Sequence, residues 1–128
     1  MIIDENILKE LQTGDGHMGE ISFSRDVTAL ARREGTIEIL KTMKAVNVVH
    51  IGCCGHFHNI KKQVENHSHF HAMLIQNFKN VIGFDIEEKS VEYLSSFGIA
   101  DIYAKDFVED TEEVKDIISK KFGDEPYV

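Results

Sequence analysis

Several residue types that mark particular classes of protein are scarce in this sequence of 128 residues. It has one proline, no tryptophan and two cysteines, Cys53 and Cys54, which are adjacent and so cannot build a disulfide framework. No apolar run approaches the roughly 20 residues that span a bilayer, and the first residues are acidic, unlike a secretion signal. These absences predict a reduced, cytoplasmic protein with no membrane partner.

Basic residues are also in deficit, with 14 lysines and arginines against 22 acidic residues and a net charge of −8. A surface that coats nucleic acid needs a basic stripe to displace counterions, so no nucleic-acid surface is evident. A small anionic ligand held by backbone amides remains compatible with this charge. Apolar residues make up 42% and charged residues 28%, as in a folded domain that holds its own core.

The first 45 residues predict an N-terminal helical segment. Apolar residues share one face of a short helix over residues 4–12, and they recur with helical spacing over residues 26–44. Gly35 interrupts the second run, which is therefore either one long helix or two. Between these two runs, the alternation over residues 21–23 allows a brief strand.

The hydrophobic period changes at residue 46. Residues 46–51 are almost continuously apolar and are closed by glycines, which is typical of a strand buried on both faces in a parallel sheet. Two more strands are predicted over residues 80–86 and 101–105. Helices are predicted between and after the strands, one with Phe70, Met73, Leu74 and Phe78 as its apolar stripe, one over residues 89–97 and one over residues 112–122. This alternation predicts an α/β fold, with a Rossmann-like parallel sheet of order 3-2-1 flanked by helices over residues 46–128.

Candidate binding residues follow each predicted strand, at the edge where open α/β sheets bind their ligands. The turn from Gly52 to Gly55 follows the first strand, and glycines there let the backbone approach a ligand. Asp85 ends the second strand, where an acid can accept hydrogen bonds from a ribose diol, and Asp106 follows the third. The turn could also be a plain strand-to-helix link and Asp85 a helix cap. Together the three positions favour a nucleotide-like ligand.

Four segments carry a resemblance to a known family. They are Val-Val-His-Ile-Gly-Cys-Cys-Gly-His (48–56), Val-Ile-Gly-Phe-Asp-Ile (81–86), Val-Glu-Tyr-Leu (91–94) and Ala-Lys-Asp-Phe (104–107). This pattern resembles class I S-adenosylmethionine-dependent methyltransferases, in particular a branch with a Gly-Cys-x-Gly-His turn, over about residues 36–108. The resemblance implies S-adenosylmethionine or S-adenosylhomocysteine as the ligand and methyl transfer as the activity, with no indication of the acceptor.

The resemblance also implies roles for individual residues. The turn from Gly52 to Gly55 would hold the methionine part of the cofactor, and Asp85 would bind the ribose hydroxyls with Ile86 against the adenine. Asp106 would accept from the adenine amino group, and Phe107 would flank the ring. No catalytic acid, base or nucleophile is assigned. The full set of implied cofactor-binding residues is His50, Gly52, Cys53, Gly55, His56, Asp85, Ile86, Asp106 and Phe107.

The sequence departs from the family at three places. His50 replaces the usual first-strand acid, and His56 stands at the third glycine position. The family places substrate-facing residues after a fourth strand, so we expect a domain that is truncated before that strand and inactive by itself. An apolar first strand at a sheet edge is a pairing hazard, so we expect the N-terminal segment or a second copy, in a homodimer, to cover it.

Histidines are concentrated in one patch, and five of the seven lie between His56 and His71. Imidazole is a common metal ligand, but the spacing matches no standard zinc motif, and we predict no metal. The patch could instead be a solvated loop, or His56 and His71 could serve the cofactor pocket. A nucleophilic cysteine would need a base in reach and a lowered thiol pKa. The alternative to a methyltransferase is a non-catalytic Rossmann-like module that binds a nucleotide-like ligand, a metal through its histidine patch, or another chain.

Overall fold

The computed structural model describes residues 29–128, in which helices and strands alternate along the chain. The predicted helix over residues 4–12 and strand over residues 21–23 lie outside this range. None of the helices within it combines the length and the apolar character that crossing a membrane requires. In chain order the elements are α1 (Ala29–Thr42), β1 (Asn47–Ile51), α2 (Phe57–Glu65), α3 (Phe70–Asn77), β2 (Asn80–Asp85), α4 (Glu88–Ser95), β3 (Ile102–Ala104) and α5 (Thr111–Phe122).

The three strands form one parallel sheet in the order β1-β2-β3. This is the predicted order 3-2-1 counted from the opposite edge, so the predicted α/β fold with a Rossmann-like sheet is confirmed. In register, Val48 lies opposite Val81, and His50 lies opposite Gly83. Valine, isoleucine and phenylalanine dominate β2 because branched and aromatic side chains pack well on a pleated surface.

Helices cover both faces of the sheet. Successive strand residues point to opposite faces, so Val81 packs with α1 and α3 while Ile82 packs with α5 on the other side. The buried residues of α5 recur at four-residue spacing, and the helix ends at Gly123, whose φ of +62° is left-handed. The α5 residues in this layer are Val114, Ile118 and Phe122.

Two helix predictions are resolved by the structure. Gly35 does not break α1, which runs as one helix through it. The stretch before β2, predicted as a single helical stretch, is two helices, because His67 has a φ of +59° between α2 and α3. Phe78 lies just beyond the end of α3 but still joins its apolar cluster.

The prediction that β1 is buried on both faces is wrong for its second half. Val48 is 4% exposed, but Ile51 is 57% exposed because β1 is an edge strand of the described sheet. The C-terminal residues cover the beginning of that edge. The Val128 amide donates to the Asn47 carbonyl at 3.0 Å, and the Val49 amide donates to the Val128 carbonyl at 2.8 Å. These two bonds flank Val48 as in a parallel strand pair.

Candidate functional site

The turn after β1 owes its shape to two glycines. Gly52 has a φ of +73° and Gly55 a φ of +67°, a region that other residues enter only with strain. A Cβ at either position would meet nothing within 4 Å, so their backbone faces open space. The Gly52 amide donates to the Phe84 carbonyl at 2.7 Å, which ties the turn to β2. His56 follows as the exposed N-cap residue of α2, with no side-chain capping bond.

Between these glycines, both cysteine side chains point into the core. Cys53 and Cys54 are 1% and 0% exposed, and their sulfur atoms lie 3.8 Å apart. The hydrogen bond between the sulfurs, followed by burial, raises the pKa of the Cys53 thiol. A reactive cysteine needs an accessible thiolate, so this arrangement does not favour the nucleophile hypothesis. The Cys53 amide donates to the Phe84 carbonyl at 3.1 Å, so Cys53, a predicted cofactor-binding residue, is committed to the protein's own core and turn.

Asp85 joins the turn to the end of β2. Its Oδ2 accepts from the Cys54 amide at 3.0 Å, and its Oδ1 accepts from the Glu87 amide at 3.1 Å. The carboxyl group is half-buried and held in one orientation by these bonds. A carboxylate offers about four acceptor positions, so each oxygen can still accept a further donor.

Asp106 lies in the loop after β3, as predicted. Its Oδ1 accepts from the Glu109 amide at 3.1 Å and from the Val108 amide at 2.8 Å, and these bonds lower the pKa of the Asp106 carboxyl. The Asp106 side chain is therefore charged at neutral pH, and its hydrogen bonds to the two amides stabilise the loop after β3. Its second oxygen, Oδ2, takes no part in these two bonds and can accept a further donor.

The apolar residues predicted beside the adenine differ in their exposure. Ile86 is 76% exposed just beyond β2. Phe107 is half-buried, with its ring centre 6.1 Å from that of Phe84 in the layer that contacts α5. The next residue, Val108, is 76% exposed and was not identified from the sequence. Exposed apolar surface thus follows both β2 and β3.

The histidine patch is divided between surface and core. His56, His58 and His67 are exposed, whereas His69 and His71 are buried. The Nε2 atom of His69 lies 3.1 Å from the Cys54 carbonyl. A carbonyl only accepts, so His69 must carry its proton on Nε2. It thereby donates a hydrogen bond to the backbone of the turn. Burial lowers the pKa of His69, which keeps the ring neutral.

His71 contacts His50, the predicted binding residue at the end of β1. Their Nδ1 atoms are 3.1 Å apart, and their rings stack with centres 5.3 Å apart at 21°. His71 also lies over β2, where a Cβ on Gly83 would be 2.8 Å from its Cε1 and 2.7 Å from Cys53 Sγ. The glycine within the apolar strand β2 is thus explained by this close approach.

The possible metal ligands that lie close together among the described residues are not those of the histidine patch. Within residues 29–128, the ligand atoms of Cys53, Cys54 and Asp85 lie within 4.8 Å of one another, with no histidine among them. The raised pKa of Cys53 opposes the thiolate that a metal requires. The absence of a structural metal remains a prediction.

Two cavities lie at the other end of the sheet. One of about 370 Å³ lies beside Val81 and Asp101, and one of about 420 Å³ lies beside Asn47 and Val128. Both adjoin the amino ends of the strands. Ligands of open α/β sheets bind at the carboxyl ends, so we assign the candidate site by topology and polar groups rather than by cavity size.

Comparisons of the chain with protein-family models, with curated proteins and with solved structures found no match. The α/β fold is established by the parallel strand pairing and by the strand order of the sheet. The candidate site is defined by the residues at the carboxyl edge of the sheet.

Proposed function

We propose that this chain binds S-adenosylmethionine and is a domain of methyltransferase type. The observation that carries the proposal is the contact of Asp85 with the Cys54 amide at 3.0 Å. It brings a glycine turn and a hydroxyl-accepting carboxylate together at the carboxyl edge of a parallel sheet. A nucleoside attached to an amino acid presents complementary groups, a ribose diol beside a charged tail.

The three strand ends provide a continuous line of contacts. Neighbouring strands lie about 4.8 Å apart, so the ends of β1, β2 and β3 extend over roughly 10 Å. The turn, Asp85 and Asp106 lie in that order along the edge, since the strand order is β1-β2-β3. The proposed contacts follow the same order, with the amino-acid tail at the turn, the ribose at Asp85 and the base at Asp106.

Apolar side chains support the base end of this line. Ile86 and Val108 leave most of their surface exposed after β2 and β3. A planar adenine ring placed between them would remove apolar surface from water, at about 25 cal/mol per Å². When bound, the cofactor supplies an electrophilic methyl group, and these residues bind and orient it. No residue within the described range is assigned to proton transfer.

Calorimetric titration of S-adenosylhomocysteine into the full chain tests this proposal. We expect binding, and Asp85→Ala should weaken it by about 1.5–3 kcal/mol, the range for losing hydrogen bonds to a charged acceptor. Asp116→Ala, which removes an exposed carboxylate of α5 that pairs with Lys120, is the matched control and should bind normally. No heat and no chemical-shift change at Gly52 to Gly55 with excess ligand would overturn the proposal. Undiminished binding by Asp85→Ala would overturn the residue assignment alone.

A further inference from the structure

The pair formed by His50 and His71 is a buried polar contact that the proposed ligand contacts do not explain. His71 is fully buried on α3, and the Phe70 ring packs against His50 in a T-shaped arrangement with ring centres 5.0 Å apart. Among residues 29–128, the Nε2 atom of His71 has no hydrogen-bond partner, and the one polar contact of the His71 ring there is the 3.1 Å approach of its Nδ1 to His50. Leaving a buried polar atom unpaired costs free energy, so the hydrogen bond between the Nδ1 atoms of His50 and His71 is important for the stability of this part of the core.

The geometry of this bond limits the charge of the pair. One Nδ1 must donate a proton and the other must present a lone pair, so the two rings cannot both be charged. Burial, then the nearby His69, lowers the pKa of His50 to about 4, and Asp85 acts in the opposite direction. Burial, then His50 and His69, lowers the pKa of His71 to about 3. The titratable groups that face the pair are thus His69, the N-cap residue of α3, and Asp85 at the end of β2.

The pair lies next to the turn. His50 precedes Gly52 by two residues and shares its face of the sheet with Gly83, over which His71 packs. His50 is half-buried, and it faces His71 through its Nδ1 atom. A positive charge at this place would repel a cation bound at the turn, with an energy that falls only as the inverse of distance.

We propose that His71 is a positioning residue that fixes the tautomer of His50 within a buried, uncharged pair, so that the turn accepts the positively charged sulfonium of S-adenosylmethionine. The ligand part of this inference rests on the proposed function. The structural part, a fixed and neutral imidazole pair, does not depend on any ligand. The two parts are therefore tested by separate measurements.

Side-chain ¹⁵N–¹H spectra of the labelled full chain test the pair itself between about pH 8 and pH 5. We expect one tautomer for each ring and no proton uptake by His50 or His71. His71→Leu should leave His50 with averaged tautomers, whereas His71→Asn, which keeps a polar group near the Nδ1 position, should restore a single one. Averaged tautomers or proton uptake by His50 in the unaltered chain would overturn the inference, even if neither variant folds.

Calorimetry with two ligands at neutral pH tests the role of charge. S-adenosylmethionine is a cation at sulfur, and S-adenosylhomocysteine is neutral there. His50→Lys should weaken binding of the first relative to the second on the order of tenfold, whereas the uncharged His50→Gln should change both by the same factor. Equal losses of both ligands in His50→Lys would overturn the role of charge and leave the proposed function standing. No binding of either ligand by the unaltered chain would overturn the proposed function and the ligand part together.

Discussion

Gly83 is the residue at which the candidate site meets the core of the sheet. Adding a methyl group there places it within 2.8 Å of Cys53 Sγ, Cys53 Cβ and His71 Cε1, so β2 or the turn must shift. We expect Gly83→Ala to lower the free energy of unfolding by about 1–3 kcal/mol, the usual effect of overpacking. Urea denaturation measures this change.

Gly35 provides the control for that substitution. It lies within α1, and a Cβ there meets nothing within 4 Å. Gly35→Ala should therefore raise the free energy of unfolding by about 0.5–1 kcal/mol, since alanine restricts the unfolded chain and favours a helix. A Gly83→Ala protein as stable as the unaltered chain would show that the close packing of His71 and Cys53 is wrong.

The neutral histidines predict that acid destabilises the fold. Burial lowers the pKa of His50 to about 4 and that of His71 to about 3, whereas the unfolded chain takes up these protons near pH 6.5. The unfolded state therefore binds more protons below about pH 6.5, and stability falls as the pH drops from there toward pH 4. Each histidine contributes a slope of up to about 1.4 kcal/mol per pH unit.

Urea unfolding at a series of pH values measures this slope. His50→Gln should reduce it, because one titrating group is removed from the unfolded state and from the core. His58→Gln should leave it unchanged, since His58 is exposed on α2. A stability that stays level from neutral pH down to about pH 5 would contradict the neutral histidine core.

At the scale of elements, Asn47 links β1 to both its neighbours. Its Nδ2 donates to Glu125 Oε2 at 3.2 Å and to the Pro126 carbonyl at 3.0 Å, and its Oδ1 accepts from Asn80 at 2.8 Å. We expect Asn47→Ala to release the C-terminal residues and to expose the Val49 amide, which donates to Val128. Hydrogen exchange at Val49 should then become fast, while His50, bonded toward β2 in the ladder, stays protected. Unchanged protection at Val49 would show that Asn47 does not hold this pairing.

The same elements show what the sequence can and cannot predict. The apolar runs predicted the ends of β1 and β2 to within one residue of their positions in the structure. This was possible because the hydrophobic pattern of a strand is a local property of the sequence. Pairing of Val128 with β1 was not predicted, since it joins residues about 80 positions apart and no local pattern carries it. The buried roles of His69 and His71 were missed for a similar reason, as histidine has no fixed preference for core or surface. The residues at the strand ends were predicted by topology, and their hydrogen bonds were not.

For the whole molecule, we expect no dependence on a structural metal. The described residues fill three apolar clusters around one sheet, which supply a core without a metal centre. A chelator should leave the melting temperature unchanged within about one degree, whereas structural zinc contributes on the order of 10 kcal/mol to small metal-dependent domains. One tightly held zinc per chain in elemental analysis would contradict this expectation and favour the histidine patch as its site.

Association of two chains is the remaining prediction for the whole molecule. On the free edge of β1, the Val49 carbonyl and the Ile51 amide have no backbone partner among residues 29–128. Exposed apolar side chains adjoin this edge, namely Met43, Val46, Ile51 and Val128. Unpaired strand edges beside apolar surface favour pairing with another strand, and symmetric dimers are the commonest oligomers.

We therefore expect sedimentation velocity to show a homodimer and hydrogen exchange to show a protected Ile51 amide. Ile51→Lys should shift the protein to monomer, because a charge on an edge strand opposes pairing. Ile86→Lys is the matched control, since Ile86 is equally apolar and more exposed but lies beyond β2 at the candidate site, away from this edge. It should leave the dimer intact. A monomer at every concentration, with the Ile51 amide exchanging as in an unfolded chain, would remove β1 as an interface and leave its exposed apolar side chains without a partner.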